Sequence, residues 1–138
     1  MISKSEVSMA VVYPTDVAFV HQDYIDRGAN MAQIIHNLVD GHFDVVRPSN
    51  RDQHFVGYVN DEGLLTGMEP NTLASAIFGR FLCGPCVIVG TLNENGVEDG
   101  DSYNLQTKDV QYLSRLAEAA LMWQDNLPSK LETEMEKA

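Results

Sequence analysis

The stretch Phe81-Leu82-Cys83-Gly84-Pro85-Cys86-Val87-Ile88-Val89-Gly90 decides how this chain folds. Its centre, Cys83-Gly84-Pro85-Cys86, spells the active site of a thioredoxin. There, a C-x-x-C follows a buried strand and opens a helix, whose N-terminus lowers the thiol pKa and makes the thiolate available for exchange. Here the surroundings are reversed. Thr72 to Phe81 has apolar or small residues at Leu73, Ala76, Ile77 and Phe81, a helical pattern. Val87-Ile88-Val89, closed by Gly90, is β-branched and reads as a short buried strand. The order is helix, C-G-P-C, strand, and Gly-Pro marks the turn between them. The motif in this context predicts a turn with two small buried thiols, not a redox centre.

A second reading makes Cys83 and Cys86 two zinc ligands, with histidines supplying the rest. The histidines are His21, His36, His42 and His54, and none forms an H-x3-H or H-E-x-x-H pair. No spacing asks for a metal, and no cofactor is expected.

Outward from this stretch, both apolar periodicities appear. Met9-Ala10-Val11-Val12-Tyr13 is a strand stopped by Pro14, and Val17 to Val20 continues it beyond a turn. Asn30 caps a helix whose Met31, Ile34, Ile35, Leu38 and Val39 share one face. Asp40-Gly41 ends it, with Gly41 expected in the left-handed position. His42 to Val46 alternates as a half-buried strand does. Gln53 to Val59 alternates again, and Asn60-Asp61-Glu62-Gly63 is a turn from which Leu64-Leu65 resumes, predicting a hairpin. Asn71 caps the helix before C-G-P-C. Asn93 to Asn104 is a loop or a short hairpin around Asn95-Gly96. Thr107 caps a third helix, with Asp109 placed for its dipole and Val110, Leu113, Leu116, Ala117, Ala120, Leu121 and Trp123 along its stripe. These elements predict a small α+β domain over residues 1–127, a mainly antiparallel sheet with about three helices packed on one face, and a polar frayed tail over 128–138.

The chain has 138 residues and a formal net charge of −11. Met1 to Glu69 holds ten acidic and four basic residues, and Pro70 onward ten and five, so the acid is spread along the chain. Such a balance argues against direct nucleic-acid binding, which calls for a basic patch. No stretch approaches the roughly 18 apolar residues of a membrane helix. With no apolar run of signal-peptide length near Met1, a cytoplasmic location is expected.

Several residues are candidates for function. Asn60 and Glu62, with Asp61 between them, set an amide and two carboxylates on one turn, although Asn-Asp-Glu-Gly is also ordinary turn chemistry. Asn71 could orient a ligand amide or phosphate, or be a plain N-cap. Arg80, the only basic residue between Arg51 and Lys108, is an anion anchor or a partner of the helix dipole. His36 and His42 flank the helix end at Gly41 and are a candidate pH-sensitive or metal pair.

Taken in order, Leu38-Val39-Asp40-Gly41, Val59-Asn60-Asp61-Glu62-Gly63-Leu64, Pro70-Asn71 with Ala74, and Gly84 before Val87-Ile88-Val89-Gly90 resemble a known pattern. It is that of the domain-of-unknown-function family numbered 3846, found in phages, plasmids and bacterial genomes. That family has a helix ending in V-G-G, a strand, an N-E-E-G turn, a P-x-N element with a nearby alanine, and G-x-x-V-x-x-G. The likeness covers about Met31 to Leu92, and Thr107-Lys108-Asp109-Val110 is similar to the usual helix start. Asp40 stands where the family tends to have Gly, Asp61 where it tends to have Glu, and the two cysteines lie outside its pattern. The resemblance implies an accessory gene of a phage or mobile element and brings no catalytic residues.

The expected function is therefore a non-enzymatic accessory protein that binds a host factor, in host takeover or anti-defence. One alternative is sequestration of a small nucleotide-type ligand or immune signal at Arg80 and Asn71. A further alternative is an acidic DNA mimic blocking a DNA-binding enzyme. A homo-oligomer is compatible with the first two, since ligand sites often form between subunits.

Overall fold

In the structure, a computed structural model, residues 6–14, 20–26, 28–48, 53–63, 65–92 and 98–125 are described, with side chains for all but 98–103 and 120–125. The elements are β1 (Glu6–Val12), β2 (His21–Asp26), α1 (Met31–Val39), β3 (Phe43–Val46), β4 (Phe55–Asn60), α2 (Thr72–Phe78), β5 (Cys86–Leu92), β6 (Glu98–Tyr103) and α3 (Thr107–Asp125). The strand order is β2-β1-β5-β4-β3, and every pairing is antiparallel. This is the expected α+β class.

β5 is the central strand, and the turn Cys83-Gly84-Pro85 delivers it there. It pairs with β1 from Cys86 to Val89 and with β4 from Val87 to Gly90. Gly90 is opposite both Phe55 and Tyr103, so β6 takes over the β1 side of β5 where β1 leaves it. A strand enclosed this way is apolar on both faces, as Val87-Ile88-Val89 is. Each of these side chains is essentially fully buried and contributes about 1.5–3 kcal/mol.

Alternation divides the interior into two cores. Met9, Val11, Val56, Val87 and Val89 face α1, where they meet Met31, Ile35 and Val39. Ala10, Val12, Phe55, Val59, Cys86 and Ile88 face α2 and α3, where they meet Leu73, Ile77, Phe78, Leu113 and Ala117. The helices thus cover both faces, where the sequence suggested one. The reason is that β1 and β5 are apolar on both sides, so each side needs a cover.

Local chemistry explains the element ends. Asn30 Oδ1 accepts the Gln33 N–H at 3.2 Å, capping α1 as expected. At the other end the left-handed residue is Asp40 (φ 61°), one position before the glycine expected there. Aspartate tolerates this conformation better than most residues. Gly41 (φ 146°) has its own reason: a Cβ on it would stand 2.9 Å from Asn60 Nδ2. α2 ends at Phe78, short of Phe81, because Gly79 adopts the left-handed conformation. α3 begins at Thr107, with Gln106 in the capping position, since the Gln106 carbonyl accepts the Val110 N–H. The Ala120, Leu121 and Trp123 side chains, and all of 128–138, lie outside the described residues.

Two pairings differ from expectation. The hairpin partner of β4 is β3, which precedes it. After Asn60 the chain makes successive turn bonds, Gly63 N–H to Asn60, Thr66 N–H to Glu62 and Met68 N–H to Gly63, and leaves Leu65 exposed. Leu64 lies outside the described residues, as do 17–19; Val20 packs against the α2–α3 core. The strand beside β1 is β2. β6 pairs antiparallel with β5, Leu92 opposite Glu98, in agreement with the hairpin alternative for Asn93 to Asn104.

Gly90 is where the backbone from β6 to α3 crosses β5. A Cβ there would fall on the Asn104 carbonyl, and that segment is anchored by Leu105 N–H to Ser8 O at 2.8 Å. Gly90→Ala is expected to cost about 3 kcal/mol, at the upper end of overpacking penalties, because backbone must move. Urea denaturation of the variant beside the parent measures it.

Candidate functional site

The C-G-P-C stretch is a strand start. Cys83 makes an isolated bridge with Pro70, Gly84 is left-handed (φ 81°), and Cys86 is the first residue of β5. Both thiols are free and buried. Burial pushes the Cys86 thiol up to about 12, only partly offset by a backbone hydrogen bond with Tyr58. Burial raises the Cys83 thiol as well. That is the opposite of an activated thiolate. Cys86 also fills space: its Sγ would lie 3.0 Å from a Cβ on Gly57. Among the described residues, no three His, Cys, Asp or Glu are grouped to hold a metal. His36 and His42 do meet, edge to face at 5.8 Å.

Two of the four candidate residues are engaged by the fold itself. Asn60, at the end of β4, donates from Nδ2 to the Val39 and Asp40 carbonyls at 3.1 Å each and accepts the Glu62 N–H at 2.8 Å. It closes the C-terminus of α1. Asn71 is fully buried. Its Nδ2 donates to Val12 O at 2.8 Å and Gly84 O at 2.9 Å, and its Oδ1 accepts the Ala74 N–H at 3.1 Å. Both amide hydrogens of each residue therefore point to backbone carbonyls. Glu62 and Arg80 are exposed on the turn after β4 and the loop after α2.

Among the described residues, one concave feature lies elsewhere. A groove of about 480 Å³ opens between α1 and the β1–β2 pair. Met9, Val11 and Ile25 form an apolar floor, Ile34 and Leu38 an apolar wall, and Tyr13, His21, Asp23 and Asn37 supply polar groups. None of Asn60, Glu62, Asn71 and Arg80 lines it. Tyr13 and His21 meet edge to face at 5.3 Å. Asn37 is oriented by Gln33 Nε2, which donates to its Oδ1 at 2.9 Å. Such a site can hold an apolar group while hydrogen-bonding its edges; its lining includes no lysine or arginine to neutralise a phosphate. Sequence reasoning missed these residues because β2 was not recognised. His21 to Asp26 is largely polar on both sides, His21 and Asp23 beside Ile25 on one and Gln22 and Asp26 beside Tyr24 on the other, so no alternation marks it as a strand.

One buried acid stands apart. Asp109 is 2 % exposed, and its Oδ2 has no hydrogen-bond partner among the described residues. Burial raises its pKa, opposed by a hydrogen bond from the Gln106 backbone and by the charges of Lys108 and His54. Burial thus outweighs the favourable N-terminal position that the sequence suggested.

A family model described as a domain of unknown function, DUF3846, matches residues 9–115. The chain belongs to the DUF3846 family. The glycines and asparagine on which the resemblance rests acquire physical reasons here: Gly84 supplies a left-handed turn, Gly90 a backbone crossing and Asn71 a three-way tie. A crystal structure of the small RNA methyltransferase HEN1 is similar, with 17% identity and a TM-score of 0.52. The likeness covers 81% of this chain and 16% of that one, and it speaks to fold alone. Comparison with curated proteins gives no match. Among the described residues no helix is long and apolar enough to cross a membrane.

Two outcomes follow. Asn71→Ala leaves the Val12 and Gly84 carbonyls and the Ala74 N–H without their partner and is expected to cost about 3 kcal/mol, whereas exposed Arg80→Ala stays within about 0.5 kcal/mol. Chemical denaturation separates them. For Asp109, a raised folded pKa means the folded chain keeps a proton that the unfolded chain has released. The stability this confers is full below the unfolded value, about pH 4, and is lost as pH rises through the folded value. Asp109→Asn removes that titration, so the wild type should lose stability relative to the variant between acidic and neutral pH, as read by melting temperature across the range.

Proposed function

We propose that this chain is a non-enzymatic accessory protein of a phage or mobile element and that it binds a host protein through the face made by β1, β2 and α1. The groove on that face carries the reading: an apolar floor with a polar rim, beside an exposed outer strand. Apolar centre and polar rim are the usual anatomy of a protein-binding patch. The net charge of −11 favours a basic partner and fast, salt-sensitive association. The setting is supported by the family resemblance. The non-enzymatic part is supported by the positions of the reactive groups: Cys86 is sealed in the core with its thiol raised to about 12, and Asn60 and Asn71 tie backbone together.

The groove's volume favours a second reading, sequestration of a small nucleotide-type ligand, because 480 Å³ falls in the range of small-molecule sites. The lack of lysine or arginine in its lining weighs against a phosphate-bearing occupant, and Arg80 is not among the lining residues.

Affinity capture from host extract tests the first reading. The parent chain should enrich one basic protein. The double variant His21→Glu with Asn37→Arg, altering two exposed groove positions, should reduce that enrichment by about tenfold or more, a loss of about 1.4 kcal/mol. Gln111→Arg, exposed on α3, should leave it intact. Equal capture by the groove variant would overturn the proposal. A nucleotide-dependent rise in melting temperature, abolished by the same double variant, would move the function to the second reading.

A further inference from the structure

β2 and β3 are the outer strands of the five-strand path, so each has a row of backbone groups facing away from the sheet. Successive residues of a strand turn their N–H and C=O to opposite edges. Ser8 turns its carbonyl away from β2, to the Leu105 N–H at 2.8 Å. Its partner in the register is Tyr24, whose N–H therefore faces outward. That N–H is already taken: Asp23 Oδ1 accepts it at 2.8 Å. The same holds at β3. The His42 carbonyl faces β4 and accepts the Asp61 N–H, so Asp44 faces β4 as well and Val45 faces outward. Asp44 Oδ1 accepts the Val45 N–H at 2.9 Å. Each outer strand thus carries one clasp, an aspartate holding the outward N–H of the residue after it. Tyr24 and Val45 are two of the large apolar side chains left exposed, at 46% and 36%.

A clasped N–H has nothing to offer the carbonyl of an incoming strand, and the carboxylate repels a second copy of so acidic a chain. The two edges differ in one respect. Asp23 lines the groove, whereas Asp44 does not. A strand laid along β2 places alternate side chains on the groove side, where Ile25 and Ile34 offer apolar contact. β2 also holds Asp23 and Asp26 with no lysine or arginine, and Asp26 is opposite Glu6.

We propose that β2 is a gated edge for strand addition, and that its occupant is an extended segment bearing lysine or arginine. The cation draws the Asp23 carboxylate off the Tyr24 N–H, and a backbone carbonyl of the incoming segment takes its place. Main-chain pairing then supplies affinity, and the groove and the aspartate supply selection, as in other strand-addition complexes. β3 has the clasp without the groove and stays closed. This rests on the function proposed above and names the partner's shape and charge.

The test uses the whole chain and three peptides of about ten residues, long enough to span one strand, in which valine alternates with lysine, threonine or glutamate. By calorimetry, the lysine peptide should bind about tenfold more tightly than the threonine peptide, with salt weakening it, and the glutamate peptide should not bind. Asp23→Ala opens the clasp, so the threonine peptide should gain about fivefold and the lysine preference should fall to about twofold. Asp44→Ala should match the parent. The Tyr24 amide should become protected from hydrogen exchange in the complex. No preference for lysine over glutamate, equal behaviour of the two aspartate variants, or an unprotected Tyr24 amide would overturn the gate. If those results came with host-protein capture still lost in the groove variant, the gate would fail while the binding face stood.

Discussion

The side-chain amide of Asn71 joins three parts of the chain on which the rest of the fold hangs. One hydrogen goes to the last residue of β1, the other to the turn before β5, and the oxygen holds the first turn of α2. Around it, Asn71 N–H bonds Leu82, Gly84 N–H bonds Glu69, and Ser75 Oγ receives the Leu82 N–H at 2.9 Å. β1 and β5 are neighbours at the centre of the sheet, so a tie between the end of one and the start of the other sets their offset. β2 is registered on β1, and the groove is registered on both. The amide is buried, where an unpaired polar group is costly, so the tie is held by the penalty for breaking it as much as by its own strength. The composition of C-G-P-C follows. Gly84 supplies the left-handed turn and one of the two carbonyls, and Cys86 Sγ and the Phe78 ring both come close to Gly57, where a Cβ would meet them.

Much of this was legible in the sequence, and the limits have physical causes. Continuous apolar runs marked β1 and β5, alternation marked β3 and β4, and periodicity with Asn30 and Asn71 marked α1 and α2, because each signal lies within a few residues. The reversed order around C-G-P-C followed from the same signals. The distribution of helices over two faces was not legible. It depends on pairing Ala10 with Ile88 and Gly57 with Ile88, across long separations, before any residue can be given a side. β2 escaped because an outer strand beside an open groove is polar on both faces, which erases the alternation that reveals strands.

The site was less legible than the fold. Asn60 and Asn71 stood out because asparagine at a turn or cap has a definite job, but their farther partners, Val39 and Val12, could not be read from local spacing. The groove residues gave no warning at all. Tyr13, just past β1, His21 of β2 and Asn37 of α1 come from three parts of the chain, and each is unremarkable where it stands. Concavity is a product of assembly, so a single sequence exposes it only after the strand pairing is known.

The acidity of the chain looked diffuse, and the structure gives part of it local work. Asp23, Asp26 and Asp44 each accept a backbone N–H one or two residues on, at 2.8, 3.2 and 2.9 Å. Asp109 accepts one from Gln106, and Asp40 occupies a left-handed position. Aspartate suits these tasks because its short side chain reaches its own backbone, which glutamate does less well. A carboxylate folded onto its neighbouring amide has given up part of its capacity to act as a free anion. That weighs against a DNA mimic, which needs its carboxylates projecting in a phosphate-like array. It favours a surface on which a few acids guard backbone edges and can be drawn away by a cation from a partner.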